Sequence, residues 1–180
     1  MRRWVQQMRE TIFKKILQNV RRRREDTATT DPNLKVTSIG ILFDGTLPED
    51  RQVLDRLVQQ LRQSSNQVLV LGYIDNYSIA TTYPFKHFYK KHVNWFYVPK
   101  HPDIDKFSRI HYDILMNLGR PDQFTLHYIA KSALASFKVG PHYPGIEIYD
   151  VMVRAPQEHD LDEFIDNVKR LLKNIQYRND

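Results

Sequence analysis

The chain of 180 residues contains no cysteine. That excludes disulfides, thiol nucleophiles and cysteine-ligated metals. Glycine is scarce, with six residues, and none builds a phosphate cradle. Gly40 and Gly45 lie near the end of an apolar run but match neither G-x-G-x-x-G nor a P-loop. Tight binding of a dinucleotide or ATP by those devices is therefore not expected. Long apolar runs are missing too: Val68 to Ile74 is the longest, far short of the ~20 residues of a membrane span. No continuous apolar stretch follows the N-terminal cations, so a secretory signal is not expected. No pattern calls for a cofactor or a metal. His87 and His92 are five apart, and no H-E-x-x-H occurs. Ser132 and Ser136 lack the surroundings of a nucleophile elbow.

What is present is an uneven distribution of charge. Residues 1–25 hold nine Lys/Arg against Glu10 and Glu25, a net of +7. The nine are Arg2, Arg3, Arg9, Lys14, Lys15, Arg21, Arg22, Arg23 and Arg24. The remaining 155 residues hold 18 Lys/Arg against 19 Asp/Glu, a net of −1. In the same segment Trp4, Val5, Met8, Ile12, Phe13, Ile16, Leu17 and Val20 recur at helical spacing. The pattern predicts a basic amphipathic helix over about 3–23. Its cations suit an anionic partner: RNA or the ribosome by counterion release, or an anionic membrane surface at ~1 kcal/mol per cation. Its apolar stripe offers packing on the body, a homo-oligomer contact or a partner protein. The expected setting is the cytoplasm, with peripheral placement at the inner membrane as the alternative.

Residues 26–34 are polar, contain Pro32 and read as a linker. Residues 35–180 read as one α/β domain. Lys35 to Phe43 and Gln67 to Ile74 are apolar, β-branched runs, the pattern of strands buried on both faces. Tyr112 to Leu118 reads the same way, with shorter strands expected at Trp95–Val98 and Ser136–Val139. Ile146 to Val153 alternates like an edge strand. Helices are expected after Pro48, over Asp103–Arg109 and Asp122–Ala135, and from Pro156 onward. Alternating strands and helices imply a single three-layer, doubly wound, Rossmann- or flavodoxin-like sheet, mostly parallel. In such sheets ligands lie beyond the carboxyl ends of the strands. The candidates there are Asp44, Gly45, Asp75, Asn76 and Asn117, residue types that also simply make turns.

The stretch Tyr83 to His101 interleaves seven Tyr, Phe and Trp residues with Lys86, Lys90, Lys91 and Lys100. That mixture occurs in single-strand binders, but the preferred expectation is that half of these aromatics are core and the lysines a solvated face. LFDGTL, Leu42 to Leu47, resembles the first motif of haloacid-dehalogenase-type phosphatases. Leu42 stands where that family has its nucleophilic Asp, so no aspartyl-phosphate is expected. The segments SIGILFDGTLPEDRQ (38–52), VLGYIDN (70–76), NWFYVPKHPD (94–103), FSRIHYDILMNL (107–118) and LHYIAKSALASFKVG (126–140) resemble an uncharacterised domain-of-unknown-function family of Bacteroidota proteins. That likeness implies the α/β fold and no particular activity. YDILMNL followed by a helix and ASFKVG is similar to the N-terminal half of heptosyltransferase-type glycosyltransferases. Those bind their nucleotide-sugar mainly in a second domain that this chain lacks, so a degenerate, ligand-binding half is the enzymatic alternative. A non-enzymatic module tethered through its basic helix is the principal expectation.

Overall fold

The computed structural model describes residues 2–20, 36–75, 82–155 and 160–177. Six strands form one sheet: β1 (Ser38–Asp44), β2 (Gln67–Ile74), β3 (Lys86–Tyr89), β4 (His111–Asn117), β5 (Leu134–Pro141) and β6 (Val151–Val153). Every neighbouring pair is parallel. The order β3-β2-β1-β4-β5-β6 is the Rossmann order and not the flavodoxin one. The helices are α1 (Arg2–Asn19), α2 (Pro48–Arg62), α3 (Pro102–Arg109), α4 (Phe124–Ser132) and α5 (Leu161–Tyr177). No helix among the described residues is long and apolar enough to cross a membrane.

The alternation of side chains along each strand sorts the core into two clusters. Ile39, Ile41 and Phe43 of β1 meet Leu54, Leu57 and Val58 of α2 and Phe164, Ile165 and Val168 of α5. Leu42 of β1, Tyr112 and Leu115 of β4 meet Ile104 and Phe107 of α3 and Leu126, Ile129 and Ala130 of α4. Helices thus cover both faces, as near-continuous apolar strands require.

Helix α1 joins the second of these layers. Phe13 and Leu17 are buried within it. The Phe13 ring lies 5.2 Å from Phe124 of α4 and 5.8 Å from Tyr97. The C-terminal half of the amphipathic stripe, around Phe13 and Leu17, is therefore packed on the chain's own body, while Trp4 and Met8 remain exposed. The described part of the helix ends at Asn19, and Arg21 to Arg24 and the linker lie outside the described residues.

Three element expectations are corrected. Trp95–Val98 is not a strand. The free edge of β2 is taken instead by Lys86–Tyr89, and residues 93–99 form a loop closed by a Val93–Pro99 bridge. In Ile146–Val153 only Val151–Val153 joins the sheet, and Ile146 makes an isolated antiparallel bridge to Tyr143. Ile146, Ile148 and Tyr149 leave the ladder and enter the core. The last helix starts at Leu161, not Pro156, because Asp160 caps it: its carboxylate accepts the Glu163 N–H at 3.0 Å. Pro156 itself lies outside the described residues.

Burial of Leu17 at 3% exposure has a direct consequence. Leu17→Ala should lower unfolding stability by about 2–5 kcal/mol, read by chemical denaturation. An unchanged midpoint would mean that α1 does not pack on the body.

Candidate functional site

The chain runs outward from β1 to β2 and β3, then returns to build β4, β5 and β6 on the other side. The switch point therefore lies between the carboxyl ends of β1 and β4, where Leu42 pairs with Asn117. Asp44 ends β1 there. Its Oδ1 accepts the Thr46 N–H at 3.1 Å and the Thr46 hydroxyl at 2.6 Å. Its Oδ2 accepts the Gln123 amide at 2.7 Å and lies 4.0 Å from Arg120. The Thr46 hydroxyl in turn accepts the Asp75 N–H at 3.0 Å. Asp75 pairs with Lys90 at 2.8 Å. Gly45 is buried and donates its N–H to the Tyr73 carbonyl at 2.9 Å. Asn76 lies outside the described residues.

Asn117 faces inward, away from that cluster. It is 1% exposed. Its Oδ1 accepts the Gly119 N–H at 3.0 Å and its amide donates to the Tyr149 hydroxyl at 2.7 Å. His127 completes the group. Its Nε2 lies 2.8 Å from the Pro121 carbonyl and its Nδ1 2.6 Å from the Tyr149 hydroxyl. A carbonyl only accepts, so Nε2 carries the hydrogen and the Tyr149 O–H donates to Nδ1. Burial holds the imidazole down at about 4, against a weaker upward pull from its bond to Pro121 and from Asp122. Burial also pushes the Tyr149 hydroxyl well above its usual value. The Tyr149 ring has room because β5 carries glycine: a Cβ on Gly140 would stand 2.4 Å from ring carbons. The structure thus joins Asp44, Gly45 and Asp75 at one edge and turns Asn117 into a buried brace.

Sequence reasoning missed Tyr149, His127, Gln123 and Thr46. Only Thr46 had a local signal, as the second residue after a strand-ending Asp. Lys138 was missed as well. It is 1% exposed, and its Nζ donates to the carbonyls of Ala130 and Ala133, both at 2.8 Å. It therefore caps the C-terminus of α4 from the neighbouring strand.

The second candidate surface is α1 and the loop it grips. Arg9 lies 4.1 Å over the Trp95 ring and 4.3 Å over the Tyr97 ring, and its Nε donates to the Trp95 carbonyl at 2.9 Å. Lys14 lies 5.2 Å over Tyr143. Tyr143 donates to Glu10 at 3.1 Å. Burial, reinforced by that carboxylate, pushes its hydroxyl up to about 12. Of the described cations of this segment, Arg9 and Lys14 are thus held against aromatic faces of the body. Arg3 and Lys15 are exposed. In α1 the exposed apolar residues are Trp4 and Met8, and Gln7, Thr11, Lys15 and Gln18 share the outward side with them. Of the aromatic stretch 83–101, Phe88 is buried, Phe85 and Tyr97 pack on the two cores, and Trp95 is 54% exposed.

Residues 9–175 match one family model. The chain belongs to the DUF6913 family of unknown function. The match starts within α1 and runs through nearly all of α5, so the whole sheet and the part of α1 from Arg9 onward lie inside it. No curated protein and no solved structure matches this DUF6913 chain.

His127 makes stability depend on pH in a defined window. The unfolded chain takes up a proton near pH 6.5, while the folded imidazole resists it down to about 4. Stability should fall as pH drops across that window, by about 3 kcal/mol in all. His127→Gln should remove this part of the slope in denaturation curves at pH 4–7. Parallel curves for the two proteins would contradict the assignment.

Proposed function

We propose that the protein is a docking module that holds a polyanion, the phosphate backbone of RNA, through the N-terminal cations. One observation carries this reading: Phe13 and Leu17 of α1 lie inward in the core and Val5, Ile12 and Ile16 are half-buried, while Arg3 and Lys15 remain exposed. An interfacial membrane helix needs an apolar face to bury in lipid. Here Phe13 and Leu17 are already buried in the protein, and on the outward side Trp4 and Met8 are the exposed apolar residues among Gln7, Thr11, Lys15 and Gln18, too few for a continuous lipid-facing stripe. Cations on a polar face favour phosphate contact with counterion release over insertion into acyl chains. Arg21 to Arg24 add four further cations next to the helix in sequence, and guanidinium forks suit phosphate oxygens. Because the rest of the chain is close to neutral, binding of this kind belongs to the N-terminal segment and not to overall charge.

Deleting residues 1–25 would also remove Phe13 and Leu17 from the core, so the informative change keeps the helix and removes charge. A variant with Lys15, Arg21, Arg22, Arg23 and Arg24 each changed to Gln should unfold at the wild-type temperature. It should bind a 20-nucleotide RNA more weakly. Its plot of log affinity against log salt should be shallower by about 0.7 for each phosphate that is no longer neutralised. An unchanged slope would remove the docking reading.

A further inference from the structure

We propose that Trp95 is a stacking platform for an unpaired nucleobase, so that the polyanion taken by the basic segment is single-stranded nucleic acid. This rests on the docking reading above and names its substrate class. Three features of the loop support it. First, Trp95 is 54% exposed, while the other six Tyr, Phe and Trp rings of 83–101 are buried or partly buried. Trp95 and Trp4 are the two exposed tryptophans, and of these Trp95 alone is set in an ordered loop beside a cation.

Second, the loop is built to keep it outside. Tyr97 has φ 62°, a left-handed conformation that is costly for a bulky side chain. Asn94 compensates. Its Oδ1 accepts the N–H groups of Phe96 at 2.9 Å and Val98 at 3.0 Å, and its own N–H donates to the Val98 carbonyl at 3.0 Å. The result sends the Tyr97 ring inward, 5.0 Å from Phe124, while Trp95 stays exposed.

Third, the indole is held from one side. The Arg9 guanidinium lies over its ring and bonds its carbonyl, so ring orientation is set before any ligand arrives. A prepositioned ring loses little freedom on binding. It also sits beside a charge that attracts phosphate, with Lys91 and Lys100 exposed on the same stretch. Aromatic faces with cations at their side are what single-strand binders use, and every base has a face to stack. A duplex keeps its bases stacked on each other and offers none.

Trp4 and Trp95 are the two tryptophans, so Trp4→Phe leaves Trp95 as the only indole. Titrating that protein with a 12-nucleotide oligouridylate should quench its fluorescence, and a 12-base-pair duplex should not. Trp95→Leu should weaken binding of the oligouridylate by about 5- to 150-fold and leave duplex binding unchanged, while Trp95→Phe should retain most of the affinity. If the oligouridylate binds without quenching, or Trp95→Leu weakens both forms equally, the platform is wrong and docking through the cations stands. If neither RNA binds at low salt, or only anionic vesicles do, both readings fall.

Discussion

The contact on which the rest of the structure depends is the packing of Phe13 and Leu17 against the α3–α4 side of the sheet. Phe13 meets Phe124 and Tyr97 at once, and Tyr143 packs edge-on to Phe124 beside them. Without α1 this aromatic group would have no cover, and a large apolar patch would face water. The same contact decides what α1 has left to offer. With Phe13 and Leu17 buried, the helix presents a largely polar outward side, with Trp4 and Met8 exposed on it, in a fixed relation to the sheet. Arg9 extends the clamp by gripping the 93–99 loop, so α1 and the exposed indole are tied together.

The switch point has a different character. Asp44 accepts from both Thr46 and Gln123, and Asn117, Tyr149 and His127 brace the layer behind it. Buried polar groups are tolerable when each has its partner. Here they tie the ends of β1 and β4 to the start of α4 and to the segment before β6. Lys138 does the same for the other end of α4. These polar ties fix how α4 sits, and α4 is what α1 packs on.

Part of this was legible in the chain. β1 and β2 were readable because Ile39 to Phe43 and Val68 to Ile74 are apolar at consecutive positions, which only a strand covered on both faces needs. β3 was not, because in Lys86–Tyr89 a single residue, Phe88, is fully buried and an edge strand needs little more. Trp95–Val98 looked like a strand because four consecutive apolar residues fit that pattern. The loop instead sends Tyr97 inward by a left-handed backbone that no periodicity announces. Helical spacing showed that α1 had an apolar face, but not that the face would meet Phe124, more than 100 residues away. The Asn117–Tyr149–His127 brace was illegible for the same reason: its members come from three elements and share no local pattern. The cations were plain in the sequence, and only the packing distinguishes those held on aromatic rings from those left outward.

The central claim is that α1 is an integral layer of the fold and not a loose leader. Native-state hydrogen exchange tests it most directly. The amides of residues 13–17 should be protected to nearly the same free energy as those of β1, because both open only when the shared core opens. Exchange of those amides at the rate of an unstructured chain, with β1 still protected, would contradict the account.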